Sequence, residues 1–204
     1  MTSESERIVG LYERHARAWV ADRKRGRFVE RAWLDRFVEF LPAGGAVLDI
    51  GCGAGEPMAG HLIARGYVVT GIDSSPTMVS LCQGSFPGYR WLVEDMRTLA
   101  LGALFQGVIA WDSFFHLSFD DQRGMFPIFR AHSAPGAPLL FSSGPRHGEA
   151  IGSYGGEPLY HASLDPSEYR ALLGANGFSV VAYAAEDPAC GGHTVWLAQR
   201  DKDG

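Results

Sequence analysis

The chain lacks the features that mark secreted, membrane-spanning and nucleic-acid-binding proteins. Its 204 residues include only three cysteines, too few and too scattered for a disulfide framework or a zinc site. No apolar run approaches the ~20 residues that cross a bilayer, and the polar, acidic first six residues do not resemble a signal peptide. A net charge of −5 disfavours contact with phosphate backbones. We therefore expect a cytoplasmic monomer or homodimer that binds no metal, nucleic acid or membrane.

Apolar residues are spaced in two distinct ways along the chain. Over the first 41 residues they recur every three or four positions, which predicts an N-terminal helical cap of two helices. The basic segment 23–27 lies between these helices, and we interpret it as a solvated helix end. From residue 46 onward, short apolar runs alternate with helical patterns, which is typical of a parallel sheet covered by helices.

The predicted strands are residues 46–50, 68–72, 89–93, 105–111, 138–143, 178–184 and 194–200. Only residues 186–193 separate the last two strands, so we expect these two to pair antiparallel. The prediction is a single α/β domain over residues 1–204. It has a doubly wound, Rossmann-like, seven-stranded sheet that is mostly parallel, with the last strand antiparallel and helices on both faces. Residues 144–164, rich in Gly, Pro, His and Tyr, are predicted to form a loop on the substrate side.

A glycine-rich turn follows the first predicted strand and leads into a helix. Its sequence over residues 47–55 is VLDIGCGAG. Glycine permits such a sharp turn and lets the backbone approach a ligand closely. Asp73 ends the next strand about 20 residues later, where a carboxylate can accept hydrogen bonds from ribose hydroxyls. Asp73 alone is equally consistent with a helix cap, since Ser-Ser-Pro follows it; the combination with the turn favours ligand binding.

At this point the chain resembles the class I S-adenosylmethionine-dependent methyltransferases, of the type that acts on small molecules. The resemblance covers roughly residues 45–145 and rests on four segments in the order and spacing of that family: VLDIGCGAG (47–55), GID (71–73), VEDM (93–96) and VIAWD (108–112). It implies S-adenosylmethionine as cofactor, S-adenosylhomocysteine as product, and methyl transfer by in-line displacement to an O, N or S atom of a small molecule.

The resemblance also implies roles for the residues of the glycine turn. Asp49 would hold the methionine amino group, directly or through water. The backbones of Gly51 and Gly53 would run along the methionine part and the ribose of the cofactor. Cys52 and Gly55 complete the cofactor-binding turn.

Further roles are implied at the ends of the next strands. Asp73 matches the ribose-binding acid of the family, and Ser74 would lie beside the adenine. Asp95 would accept a hydrogen bond from the adenine amino group, and the Met96 amide would reach the ring. Taken without the other segments, Asp95 fits a surface loop acid better. Trp111 follows the fourth strand, where a backbone carbonyl usually meets the methionine amino group.

The reacting groups are harder to assign, because the cofactor supplies the methyl carbon and a general base is needed only for some acceptors. His116, beyond the fourth strand, is the candidate catalytic base and substrate contact. An equally good interpretation is that His116 is a loop residue whose ring only forms hydrogen bonds with the backbone. Aromatic side chains that would close over the cofactor, unless they simply pack in the core, are Tyr12 and Trp19. Other candidates for the substrate wall are His147, Tyr154 and His193.

Three functions other than methyl transfer are consistent with parts of the sequence. A nicotinamide cofactor is disfavoured, because the third glycine, Gly55, comes one residue too early for the dinucleotide fingerprint and Asp49 would face pyrophosphate. An aminopropyl transferase would need paired acids beyond the fourth strand, where only Asp112 is present. A non-catalytic protein that binds S-adenosylmethionine or S-adenosylhomocysteine, as a sensor or partner subunit, fits the same motifs and stays the alternative.

Overall fold

The computed structural model describes residues 4–202 of the chain. The helices are α1 (Glu4–Arg25), α2 (Arg31–Val38), α3 (Met58–Ala64), α4 (Pro76–Ser85), α5 (Phe119–His132) and α6 (Pro166–Ala175). The strands are β1 (Ala46–Ile50), β2 (Val68–Asp73), β3 (Arg90–Val93), β4 (Gly107–Ala110), β5 (Pro138–Ser143), β6 (Gly148–Tyr154), β7 (Glu157–Ser163), β8 (Phe178–Asp187) and β9 (His193–Arg200). Short 3₁₀ turns cover Met96–Thr98, Phe114–His116 and Pro188–Cys190.

Seven of the strands form the predicted Rossmann-like sheet, in the order β3-β2-β1-β4-β5-β9-β8. The pairs on both sides of β1 are parallel, whereas β9 runs antiparallel to β5 and to β8. The predicted mostly parallel sheet with an antiparallel last strand is therefore confirmed. The strand order reverses between β1 and β4, and ligands of doubly wound sheets bind at the carboxyl ends of the strands at such a point.

Helices cover both faces of this sheet, because its central strands are apolar on both sides. On one face, α2, α3 and α4 pack against Val47 and Ile109; on the other, α5 and α6 pack against Leu48 and Phe141. The second cluster is rich in aromatic rings, and the Phe141 and Trp196 rings stack with centroids 5.8 Å apart. The two cores hold the strands in place, and the ligand crevice of a doubly wound sheet lies at the carboxyl ends of these strands.

The segment predicted as a loop, residues 144–164, contains a β-hairpin, so that prediction was wrong. Strands β6 and β7 pair antiparallel over seven residues each. The connecting Gly155 and Gly156 have φ values of 59° and 82°, the positive values that two-residue hairpin turns need. Tyr160 and Ala162 of β7 pack against Ile8 of α1, and this contact holds the hairpin beside the helical cap.

Candidate functional site

A cavity of about 560 Å³ lies between α1 and the carboxyl ends of β1, β2 and β4. Its floor is made by residues that follow these strands, and its roof by one side of α1, from Ile8 to Lys24. The helix therefore lies across the crevice where the strand order reverses. This places the cavity where a doubly wound fold binds its ligand.

The glycine turn after β1 forms one wall of this cavity. Gly51 has a φ of 74°, and a Cβ there would lie 2.2 Å from the Cβ of Ser113. Gly53 also has a positive φ, of 54°, but a Cβ there would meet no atom within 4 Å among residues 4–202. Gly51 is therefore required by close packing, whereas Gly53 leaves its backbone open to the cavity.

Asp49 is a buried carboxylate on the cavity wall, with only 2% of its surface exposed. Its Oδ2 finds no hydrogen-bond partner within the described part of the chain. Burial, reinforced by the nearby Asp73, raises the pKa of Asp49 to about 7. An unpaired carboxylate in such a place is costly by itself, so a ligand that brings a cation or several hydrogen-bond donors would be bound strongly.

Asp73 lies at the end of β2, and both of its carboxylate oxygens contact backbone amides. Gly53 N–H donates to Oδ2 at 2.9 Å and Ser75 N–H donates to Oδ1 at 2.8 Å. Burial nevertheless raises the pKa of Asp73, since these hydrogen bonds offset the loss of solvent only in part. The two bonds join the glycine turn to the start of α4 and fix the carboxylate at the cavity wall. Ser74, beside it, also lines the cavity.

The opposite end of the cavity is lined by Asp95, Met96 and Arg97. The Asp95 carboxylate accepts hydrogen bonds from the Arg97 backbone N–H at 2.9 Å and from its guanidinium at 2.6 Å. The Arg97 guanidinium accordingly holds the pKa of Asp95 below its usual value. Asp95 is thus paired with a neighbour, in contrast to Asp49.

Two aromatic side chains of α1, Tyr12 and Trp19, cover the cavity, and their rings meet edge to face at 5.2 Å. The Tyr12 hydroxyl lies 2.9 Å from His116 Nε2, and His116 Nδ1 lies 2.7 Å from the Tyr160 carbonyl oxygen. A carbonyl can only accept, so Nδ1 carries the proton and the Tyr12 hydroxyl donates to Nε2. Burial lowers the pKa of His116 to about 4, which keeps the imidazole neutral.

Trp111 and Asp112 follow β4 and complete the wall. The Trp111 indole Nε1 is buried and finds no hydrogen-bond partner among residues 4–202. Asp112 has a φ of 47°, which is unusual for a residue other than glycine, and its carboxylate contacts His193 Nε2 at 3.0 Å. The wall therefore offers one free donor and one oriented carboxylate.

The structure brings most of the sequence-predicted residues together around this cavity. Those that line it are Tyr12, Trp19, Asp49, Gly51, Cys52, Gly53, Asp73, Ser74, Asp95, Met96, Trp111 and His116. Their proximity follows from the parallel sheet, whose strand ends meet at one edge. Their individual roles stay predictions.

Four predicted residues do not line the cavity. Gly55 faces α4, where a Cβ would lie 3.2 Å from the Phe86 ring. His147 is exposed and stacks on Phe119 with ring centroids 4.6 Å apart. Tyr154 lies behind Trp19, at a ring distance of 5.1 Å. His193 contacts two residues that do line the cavity, the Asp112 carboxylate and the Trp111 ring, whose centroid lies 5.3 Å from its own.

Sequence reasoning also missed residues that the structure places at the cavity. Segment 23–27 ends α1 and is largely exposed, as interpreted from the sequence, but Arg23, Lys24 and Arg27 also line the cavity. Glu13 of α1 accepts hydrogen bonds from the Ser75 and Thr77 hydroxyls and thereby fastens α1 to the start of α4. No local pattern marks Glu13, because its partners are more than 60 residues away.

Residues 4–202 contain neither a cluster of metal ligands nor a helix that could span a membrane. Nowhere in that range do three or more His, Cys, Asp or Glu side chains gather as a metal ion would require. None of the helices in that range combines the length and the apolar character of a bilayer crossing.

Comparison with known proteins shows which family and which fold the chain resembles. Residues 47–136 match the family model described as a methyltransferase domain. YqeM of Bacillus subtilis (strain 168), whose name places it among the methyltransferases, is 37% identical over 70 residues. That match spans 33% of this chain and 28% of YqeM, so it covers about a third or less of either protein.

Solved structures of methyltransferases share the fold over almost the whole chain. CalS10, an amino pentose methyltransferase from Micromonospora echinaspora solved with S-adenosylmethionine, gives a TM-score of 0.72 at 22% identity, covering 90% of this chain and 96% of its own. The 1,6-didemethyltoxoflavin-N1-methyltransferase of Burkholderia thailandensis, solved with S-adenosylhomocysteine and 1,6-didemethyltoxoflavin, gives 0.74 at 18% identity, covering 98% and 92%. Residues 47–136 thus resemble a methyltransferase domain, and the chain shares the fold of these methyltransferases, in agreement with the resemblance noted in its sequence.

Proposed function

We propose that the cavity binds S-adenosylmethionine and that the protein transfers its methyl group to a small-molecule acceptor. The observation that carries this proposal is Asp49, a buried carboxylate with an unpaired oxygen, next to a glycine turn whose backbone is open at Gly53. An α-ammonium group would supply the positive charge and the donors that Asp49 lacks. The methyltransferase domain match over residues 47–136 supports this choice of ligand.

The other cavity residues fit the remaining parts of the cofactor. Asp73 keeps lone pairs for the ribose hydroxyls, since each of its oxygens accepts only one backbone hydrogen bond. The 3₁₀ turn that begins at Met96 would hold the adenine, with Asp95 accepting from the adenine amino group through a lone pair not used by Arg97. Arg27, which also lines the cavity, would supply positive charge for the methionine carboxylate.

When bound, the sulfonium of the cofactor supplies an electrophilic methyl carbon, and the protein has to align an acceptor with it and exclude water. Tyr12 and Trp19 would exclude water from above. We propose that His116 positions the Tyr12 hydroxyl instead of acting as a general base, because a pKa of about 4 makes its imidazole a weak base. The Tyr12 oxygen, whose proton is directed at His116, then keeps its lone pairs for the acceptor.

A small molecule is the acceptor class that best suits a cavity of this size. The cavity of about 560 Å³ has to hold the cofactor as well, which leaves limited space beneath α1. The acceptors named for the two structural neighbours, an amino pentose and 1,6-didemethyltoxoflavin, are both small molecules. The residues that face the acceptor on this proposal are Tyr12, His116 and Asp112.

Calorimetric titration with S-adenosylmethionine, S-adenosylhomocysteine and NAD tests the proposed ligand. We expect both adenosyl ligands to bind and NAD not to bind. Asp73→Asn should weaken adenosyl binding about tenfold or more, because an amide cannot accept as well from two ribose hydroxyls. The matched control is Asp120→Asn, at an exposed position of α5, which should bind as the wild type does. Failure of both adenosyl ligands to bind the folded protein would refute the proposal.

A further inference from the structure

Asp112 has a backbone conformation that needs support from its surroundings. Its φ of 47° lies in the left-handed region, which residues with a Cβ seldom adopt. Its backbone N–H donates to Ser142 Oγ at 2.9 Å, and this bond holds the turn after β4 against the end of β5. Such conformations persist where neighbouring structure enforces them, and they concentrate at binding and active sites.

The Asp112 carboxylate is also held in place by its side-chain partners. His193 Nε2 lies 3.0 Å from Oδ1 and 3.3 Å from Oδ2, and His193 Nδ1 lies 2.6 Å from the Cys190 carbonyl oxygen. Both ring nitrogens face acceptors, so both carry protons and the ring is an imidazolium. The hydrogen bond from His193 raises the pKa of that ring to about 9, in agreement with this assignment. Asp112 thus has an oriented carboxylate that is paired with His193.

This carboxylate lies close to the place where the acceptor would sit. Asp112 lines the cavity. Burial is the main cause of the raised pKa of Tyr12 and of the lowered pKa of His116; the nearby charge of Asp112 adds to the first shift and opposes the second. Those two groups are neutral and bonded to each other. The acceptor side of the cavity therefore presents a fixed carboxylate, paired with the His193 imidazolium behind it, together with a histidine too weakly basic to deprotonate an alcohol.

We propose that Asp112 binds the amino group of the methyl acceptor, and that the substrate of this protein is consequently an amine. This inference rests on the proposed function. The acceptor binds as the neutral amine, whose N–H groups donate to the Asp112 carboxylate. Its nitrogen lone pair forms the new N–C bond as the S–C bond breaks and the electron pair of that bond stays on sulfur. Positive charge passes from sulfur to nitrogen, and the methylated ammonium afterwards releases its proton to water. A carboxylate beside the nitrogen stabilises that developing charge, and no strong base is needed during the transfer.

Sinefungin allows a test that does not require the natural acceptor. It carries an amine in place of the S-methyl group, so its ammonium reports on the charge at the transfer point, whereas S-adenosylhomocysteine has no group there. We expect Asp112→Asn to reduce sinefungin affinity relative to S-adenosylhomocysteine affinity by about tenfold or more in calorimetric titrations. Asparagine tolerates the same backbone conformation and keeps an oxygen for His193, so this variant should retain the fold.

Asp121→Asn is the matched control, because Asp121 also lines the cavity but stands at the start of α5 beside Arg97. It should leave the affinity ratio of the two ligands at the wild-type value. An unchanged ratio in Asp112→Asn, with both ligands still binding, would overturn the amine inference and leave the proposed function intact. Failure of the wild type to bind either ligand would overturn both.

Discussion

Replacing Asp49 by asparagine should stabilise the ligand-free protein while weakening its binding of S-adenosylmethionine. The carboxylate is 2% exposed, and its Oδ2 is unpaired within the described residues. Its charge therefore makes folding less favourable when no ligand is bound. The same charge is what the proposed ammonium group of the cofactor would pair with.

The size and the pH range of the effect follow from the pKa of Asp49. Burial raises that pKa from 3.8 to about 7, so the folded protein holds the proton more tightly than the unfolded chain. The resulting loss of stability is absent below about pH 4, grows as the pH rises towards 7 and is constant above it. A shift of about three pKa units corresponds to at most about 4 kcal/mol. Because the asparagine amide would also be buried, we expect Asp49→Asn to gain about 2–4 kcal/mol at pH 8.

Urea unfolding of both proteins at pH 4 and pH 8 measures this difference, and calorimetry measures the cofactor affinity. The variant should be more stable at pH 8 and nearly equal at pH 4. A hydrogen bond to a charged group contributes about 1.5–3 kcal/mol, so the affinity of the variant for S-adenosylmethionine should fall roughly 10- to 150-fold. A variant that is less stable at pH 8, or one that binds the cofactor as the wild type does, would refute the reasoning.

Three further predictions concern stability, and urea unfolding measures each. Gly51→Ala should lower the free energy of unfolding by about 2–5 kcal/mol, since a φ of 74° is strained for alanine and the added Cβ would overlap the Ser113 side chain. Gly53→Ala, where a Cβ would meet no atom, should lower it by about 1–2 kcal/mol. Equal costs for the two would contradict this account. His193→Asn should lower the free energy of unfolding by up to about 3 kcal/mol at pH 6 and by little at pH 10. The ion pair of His193 with Asp112 raises the pKa of the imidazole to about 9, and its contribution to stability is lost as the pH rises through that value. A cost independent of pH would show that the ring is not an imidazolium. Tyr12→Phe should cost about 1–3 kcal/mol by leaving a buried histidine nitrogen without its donor, and a neutral result would argue against that hydrogen bond.

Much of the sheet could be predicted because its strands are buried on both faces and therefore appear as apolar runs between helical patterns. The hairpin β6–β7 could not be recognised in this way. Its first strand is largely exposed and contains two glycines and a glutamate, a composition typical of loops. The Gly155-Gly156 pair was the available signal for a turn between two strands.

The same distinction applies to the candidate site, where residues at strand ends were predictable and contacts between distant segments were not. Asp49 and Asp73 were predictable because each lies at the carboxyl end of its strand, and adjacent parallel strands bring such positions together. The contact of Asp112 with His193 was not, since it joins residues 81 positions apart through the antiparallel pairing of β5 with β9. Contacts of this kind depend on the register between distant strands, which no local pattern specifies.

A crystal structure of the protein with S-adenosylhomocysteine tests the central claim most directly. The account predicts the ligand beneath α1, with its amino group at Asp49, its ribose hydroxyls at Asp73 and its adenine at Asp95 and Met96. Density for the ligand at another place, or in this cavity with Asp49 left unpaired, would contradict it.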